Sequence, residues 1–337
     1  MKIDLYASHG SPEGIIPDDL YERGIGGAEL ALVTQMEHLA RAGHDVRVYN
    51  NPRAEGVYSG VHYLPRSSFS PKEDRDVFVV FRAPTPLVRT SKGKKVFWSC
   101  DQFTVGNFST DVFPFVDEIV VISEFHKDFF KRHYGLSEDR MTIIGLGVRE
   151  EDYTSDVEKI RNRVIFCSVP ERGLSLVRQA WPIIIRDVPE ASLCITSDYR
   201  LWGLDNPNNY EYRMSFVRVH GVDFKGMIPR RELCTLQQQA EIMLYPCVYD
   251  ELFCISAAEC QVAGAVPITS TKAALATTNR YGIQLDHLDP GLYAKEVVEL
   301  LTTRREELES RREMCEDSIR GEFSWKVASL LWEEVLR

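Results

Sequence analysis

Two α/β domains in tandem are expected, each built on a parallel sheet with helices on both faces. Three observations predict this. The chain has 337 residues, more than one hydrophobic core usually serves. Short, near-continuous apolar runs alternate with longer segments of helical period, the pattern of parallel strands and their crossover helices. The alternation stops once, in the charged stretch 149–163, and then restarts, which marks that stretch as a linker.

Taken in order, residues 2–7 read as the first strand. A long loop rich in Gly and Pro follows, and loops of that length at a strand end often carry function. Gly26-Gly27-Ala28-Glu29 opens a helix over 30–42, which Gly43 stops before a strand at 45–49. Further strands are expected at 61–64, 77–81, 95–99, 117–122 and 141–144. Ser123 is a good N-cap for the helix after the fourth of these. Beyond the linker, strands are expected at 164–167, 192–195, 217–219, 242–245, 266–269 and 282–285. Helices are expected at 172–186, 231–240, 290–303 and 304–319. An amphipathic helix over 323–336, with Trp325, Leu330, Leu331 and Trp332, closes the chain.

Composition narrows the function classes. Apolar residues make up 44% of the chain, enough for sizeable cores. The net charge of −10 argues against a dedicated nucleic-acid binder. No apolar run is long enough to span a bilayer, and Asp4 interrupts any leader-like start. A cytoplasmic protein is expected, with a peripheral membrane position as the alternative. The cysteines Cys100, Cys167, Cys194, Cys234, Cys247, Cys254, Cys260 and Cys315 form no Cys-x-x-Cys pair and read as reduced core residues. The basic clusters, among them Arg230-Arg231, Arg304-Arg305 and Arg311-Arg312, read as solvated surface.

One stretch organises the rest: Tyr249-Asp250-Glu251-Leu252-Phe253-Cys254-Ile255-Ser256-Ala257-Ala258-Glu259. Ile242-Met243-Leu244-Tyr245-Pro246 before it is a buried strand, and Gly264 ends the helix after it. Glu251 should therefore stand in a strand-to-helix loop and Glu259 about two turns into the helix. Carboxylates on an otherwise apolar element need partners. A helix N-terminus supplies free N–H groups and a positive dipole end, here from Leu252, Phe253, Cys254 and Ile255, which suits a phosphate. Glu251 could accept from sugar hydroxyls and Glu259 from the two hydroxyls of a ribose. A phosphate beside two carboxylates needs a cation. Arg172 fits, in the turn Ser168-Val169-Pro170-Glu171-Arg172-Gly173-Leu174, where a guanidinium could stabilise a leaving diphosphate.

These residues resemble the Glu-x7-Glu motif of the retaining group 1, family 4 glycosyltransferases. That family has two Rossmann-like domains in the glycosyltransferase-B architecture. The resemblance covers nearly the whole chain. Gly26-Gly27-Ala28-Glu29 is similar to the family's N-terminal glycine-rich loop, and Ser123-Glu124-Phe125-His126 and Gly145-Leu146-Gly147-Val148 to its last N-domain segments. The Ser168 to Leu174 turn is similar to its basic loop, and Gly226-Met227-Ile228-Pro229 to its base-holding loop. Phe323-Ser324-Trp325 matches the start of a helix that returns to the first domain.

The resemblance implies an acceptor-binding domain over 1–150, a nucleotide-sugar domain over 151–322, and a return helix over 323–337. It assigns Glu251 to the donor sugar and Glu259 to the ribose. Arg172, Ser168, Gly26, Gly27 and the N–H groups of 252–255 fall to the diphosphate and sugar, and Met227 and Ile228 to the base. The donor would be a UDP- or GDP-sugar, with neither cofactor nor metal. Two positions depart from the family pattern. Cys167 stands where a second cation is usual, and Cys100 where a His precedes the acceptor-side Asp101. The acceptor is open among a glycan, a lipid carrier, a small metabolite and, ranked last, a modified DNA base.

Asp74-Arg75-Asp76 has the Asp-x-Asp spacing of metal-dependent transferases but precedes a strand, so it reads as structural. Gly24-Ile25-Gly26-Gly27-Ala28-Glu29 lacks the third glycine and the tight turn of a dinucleotide motif. His126, in the first turn of a helix, reads as structural ahead of a functional role, and His9, in the first loop, could reach the cleft. The rival enzymes are an epimerase or a phosphorylase of the same architecture. The rival outside enzymes is a non-catalytic nucleotide-sugar-binding module. The oligomeric state is not legible.

Overall fold

The computed structural model describes residues 1–8, 14–154, 156–204 and 206–337. His9 therefore lies outside the described residues. The chain forms two compact units. Residues 1–20, 26–147 and 325–337 make the first, and residues 21–25 and 148–324 the second.

The first unit holds the strands β1 (Lys2–Tyr6), β2 (Asp45–Tyr49), β3 (Gly56–Tyr58), β4 (Val61–Leu64), β5 (Val77–Phe81), β6 (Lys94–Trp98), β7 (Glu118–Val121) and β8 (Met141–Ile143). They form one sheet in the order β3-β4-β2-β1-β5-β6-β7-β8. All pairings are parallel except that of β3 with β4. β3 was not anticipated: it is three residues long, and Val57 at its centre is exposed. β5, read as VFVVF, is wholly buried, as a central parallel strand must be. After the single turn α1 (Asp19–Glu22) come α2 (Gly27–Arg41), α3 (Phe108–Asp111) and α4 (Glu124–Tyr134). Ser123 caps α4 through its Oγ, which accepts from the His126 N–H at 3.1 Å.

The second unit holds β9 (Arg163–Phe166), α5 (Leu174–Asp187), β10 (Ser192–Ile195), α6 (Asn208–Ser215), β11 (Val222–Phe224), α7 (Arg230–Gln239), β12 (Ile242–Tyr245), α8 (Ile255–Val262), β13 (Val266–Ser270), α9 (Leu275–Thr278), β14 (Ile283–Leu285), α10 (Pro290–Leu301) and α11 (Arg305–Glu322). Its sheet runs β11-β10-β9-β12-β13-β14, parallel throughout. The order reverses between β9 and β12, and ligands of such sheets bind at the carboxyl ends of the strands flanking that reversal. The loop after β9 carries Ser168 and Arg172, and the loop after β12 carries Glu251.

α12 (Trp325–Leu336) packs on α2 within the first unit. The Trp332 and Trp98 rings meet edge to face at 5.0 Å, and His44 Nε2 lies 2.7 Å from Glu333 Oε1. Its buried face is Trp325, Ala328, Trp332, Val335 and Leu336. Leu330 and Leu331, expected on that face, are exposed.

One further expectation is corrected. The strand expected at 217–219 is instead β11, five residues on. Arg218 and Gly221 both take left-handed backbone, at φ +60° and +72°, so a turn occupies the apolar-looking stretch. A Cβ on Gly221 would sit 2.6 Å from the Ala191 carbonyl oxygen, so the turn closes on backbone. The charged stretch before β9 follows the division between the units at residue 147 and is anchored within the second unit. Lys159 Nζ donates to the carbonyls of Ala240 (2.7 Å) and Ala263 (2.8 Å), and burial pushes its amine down to about 7.

Candidate active site

The second unit brings Arg172 and Glu251 together at the sheet reversal. The Arg172 guanidinium forms an ion pair with Glu251 Oε1, which also accepts from the Tyr245 hydroxyl. Cys247 Sγ lies 3.7 Å from the same oxygen. Glu251 is buried, so these partners are what allow its charge there. Burial opposes the charge on Arg172, but Glu251 holds it above the ordinary arginine range. Burial and Glu251 together push the Tyr245 hydroxyl well up and the Cys247 thiol to about 12. Two rings flank Arg172, Trp202 at 5.6 Å and Tyr249 at 5.8 Å, each within cation–π range. Ser168 Oγ lies 3.3 Å from the Tyr245 hydroxyl, so the two loops are stitched side by side.

Glycine makes that approach possible. Gly173 has φ +114°, and a Cβ there would lie 2.2 Å from the Pro246 carbonyl oxygen. The turn holding Arg172 therefore presses against the backbone that leads to Glu251.

Glu251 stands in the loop, as expected. Glu259, expected about two turns into the helix, is little more than one turn in, because α8 begins only at Ile255. Cys254 delays it: its backbone is left-handed, φ +70°, a costly conformation for a residue with a Cβ. Among the described residues, the N–H groups of Leu252, Phe253, Cys254 and Ile255 meet no acceptor. The backbone thus offers a row of free donors beside Arg172.

Glu259 is buried and has its own arginine. Arg230 Nη1 donates to Glu259 Oε1 at 2.7 Å, and Arg230 Nε donates to Asp152 Oδ2. Arg230 is 5% exposed, which overturns the expectation of a solvated basic pair at 230–231. Arg305 is also engaged, donating to both oxygens of Glu241 at 2.8 Å. Cys167 is a neutral neighbour, 3.6 Å from Cys260 Sγ and 3.8 Å from Gln237 Nε2. Met227 and Ile228 are packed against Gly24, where a Cβ would meet the Met227 side chain at 2.4 Å and the Ile228 carbonyl oxygen at 2.8 Å.

In the first unit, the segments after β5, β6 and β7 meet the first turn of α2. Asp101 takes a two-pronged bond from Arg82, Nε to Oδ2 at 2.6 Å and Nη2 to Oδ1 at 2.8 Å. Arg82 Nη1 reaches Glu29 Oε1 at 3.5 Å. Arg82 directly follows β5 and is left-handed, φ +62°, a strain that clusters at working sites. His126 is buried. Its Nδ1 accepts from the Ile122 N–H at 3.3 Å, so its Nε2 donates to the Asp101 carbonyl at 3.1 Å. Burial pushes its pKa down to about 4, so it orients the Asp101 loop as a neutral ring. Gly26 and Gly27 open α2, with Gly26 extended and no side-chain cap. The Asp-x-Asp run is occupied elsewhere: Asp74 pairs with Lys92, Arg75 with Asp4, and Asp76 accepts from the Lys2 N–H. Among the described residues, no cluster of His, Cys, Asp and Glu could hold a metal ion.

No family model matches the chain, and no curated protein does. Solved structures do. HepE from Anabaena, in complex with UDP and glucose, is 14% identical, the match covering 100% of this chain and 99% of HepE at a TM-score of 0.74. Sucrose-phosphate synthase from Thermosynechococcus elongatus is 14% identical over 99% and 98% of the two chains, at 0.73. WaaG, a glycosyltransferase involved in lipopolysaccharide biosynthesis, is 14% identical over 99% and 98%, at 0.70. The chain has the glycosyltransferase-B fold.

Within the glycosyltransferase-B fold of this chain, the sequence singled out Glu251 with its partner Arg172, Glu259 and Asp101, but not Arg230 and Arg82, which pair with the last two. Arg230 left one signal. It is the first residue of α7, where the helix dipole disfavours a cation, so a basic residue there asks for a reason. Arg82 left none, since nothing local marks a left-handed arginine after a strand.

Proposed function

We propose that the chain is a retaining, metal-independent glycosyltransferase that moves a sugar from a nucleotide diphosphate donor to an acceptor. One observation carries the reading. At the sheet reversal, Arg172 and the open N–H groups before α8 adjoin Glu251, with Glu259 one helical turn further on. An arginine and backbone donors suit a leaving diphosphate, whose developing charge they stabilise more than the ground state's. Glu251, fixed by Arg172 and Tyr245, reads hydroxyls of the transferred sugar. Glu259 reads the ribose, and Met227 and Ile228 line the base. UDP and UDP-glucose complexes of HepE support a uridine nucleotide as the first donor to test, with GDP-sugars next.

Retention follows if the leaving phosphate takes the acceptor's proton on the face it departs from, so that no protein nucleophile is needed. Arg172 supplies the charge that a metal supplies in other transferases. The acceptor hydroxyl is assigned to the first unit, where Asp101 is half-exposed and held by Arg82. The unpaired state of all eight cysteines supports a reducing compartment such as the cytoplasm. No helix of the described residues is long and apolar enough to cross a membrane.

The test is a thermal-shift panel of UDP, GDP, ADP and their glucose conjugates, followed by donor hydrolysis with and without EDTA. Stabilisation by one nucleotide and EDTA-insensitive hydrolysis of its sugar are expected. Absence of binding and turnover across the panel sinks the enzyme reading.

A further inference from the structure

Each glutamate of the pair has an arginine, and only one of the two arginines has so far been given work. We propose that Arg230 is the second cation of the donor site. It acts as a positioning residue that holds the Glu259 carboxylate for the ribose and offsets the charge of the diphosphate. The proposal rests on the nucleotide-sugar reading above.

Four observations lead to it. First, Arg230 is buried at the start of a helix, where both desolvation and the dipole oppose a cation. A guanidinium kept there has partners that require it. Second, those partners are the carboxylates of Glu259 and Asp152, on opposite edges of its plane. Without Arg230 the buried Glu259 carboxylate would lose its arginine and feel the Asp152 carboxylate, which Arg149 also pairs at 3.4 Å, and an incoming diphosphate would add to the repulsion.

Third, the guanidinium is not saturated. Its Nη2 is buried and meets no acceptor among the described residues. A buried, unpaired N–H is unfavourable, and a ligand oxygen beside Glu259 would satisfy it. Fourth, position 167 cannot supply the charge itself. Cys167 is closed in by Cys260 and by Gln237, whose Oε1 accepts from the Tyr153 hydroxyl at 2.7 Å. The Tyr153 ring in turn lies 6.0 Å from the Arg230 guanidinium carbon. Neutral side chains therefore fill the path from position 167 to Glu259, and the cation enters from α7.

The experiment is calorimetric titration of UDP into the full chain as wild type, Arg230→Lys, Arg230→Met and Glu259→Gln, with the thermal midpoint of each recorded. Arg230→Met should weaken UDP binding about tenfold or more, the worth of a charged hydrogen bond. Arg230→Lys, which keeps the charge but loses the fork that reaches both carboxylates, should fall between Arg230→Met and the wild type. In UDP-glucose hydrolysis the loss should fall on KM, with kcat at saturating donor little changed. A purely structural arginine would lower the midpoint and leave UDP affinity within about twofold, and that result overturns the proposal. If Arg230→Met does not fold, Arg230→Lys decides alone: a weaker, more salt-sensitive UDP affinity supports the proposal and an unchanged one overturns it. A wild type that binds no nucleotide overturns the nucleotide-sugar reading as well, whereas a wild type that binds UDP with indifferent Arg230 variants overturns this proposal only.

Discussion

Glu251 is held on one oxygen by an arginine, a tyrosine hydroxyl and a thiol. A carboxylate fixed that firmly holds one orientation rather than spreading among rotamers. Glu251→Gln keeps the shape and removes the charge that Arg172 needs. The account predicts a fall in kcat of about a hundredfold, the scale of losing one electrostatic contact at the reacting centre, with UDP affinity nearly unchanged. Equal losses in both would return Glu251 to a structural role. His126 gives a pH prediction. Its ordinary value of 6.5 falls to about 4 in the fold through burial. Between those values the unfolded chain binds the extra proton and the folded one does not. The stability is therefore complete above about pH 6.5 and lost as pH falls toward 4, by up to about 3 kcal/mol. Denaturant midpoints across that window should slope less in His126→Gln. A parallel slope would mean that the ring is protonated in the folded protein.

At the scale of elements, two turns do most of the positioning. The turn after β9 reaches the strand-end backbone only because residue 173 lacks a side chain. Gly173→Ala places a methyl group against the Pro246 carbonyl in a left-handed backbone, so the turn must move away and take Arg172 with it. A loss of about 2–4 kcal/mol is expected, the range for overpacking combined with backbone strain, together with weaker UDP binding. An unchanged thermal midpoint would show that the turn yields freely. The second turn is the start of α8. The sequence marked this helix by the apolar run after Glu251, but its first residue could not be read. A left-handed Cys254 is imposed by its surroundings rather than by its own preference, and nothing in the local pattern announces it. The same holds for β11, where three residues of strand lost out to an apolar turn of equal length.

For the whole molecule, the fold was largely legible because parallel strands buried on both faces write themselves as continuous apolar runs, as in β5 and β12. The exposed edge strand β3 carries no such run and went unseen. The candidate site was half legible. Glu251, Glu259 and Arg172 stood out by their spacing from strands and turns. Arg82 and Arg230 did not, since what identifies them is a partner far away in sequence, Asp101 for one and Glu259 for the other. Arg230 was misread as surface because a charge is presumed exposed until its partner is seen. The central claim is that this fold transfers a sugar from a nucleotide donor with its configuration kept. The most direct measurement is proton NMR of the chain turning over UDP-glucose, or whichever donor the thermal-shift panel selects. The account predicts that the first sugar product carries the donor's α configuration, with EDTA present throughout. A β product, or turnover that stops when EDTA is added, would contradict it.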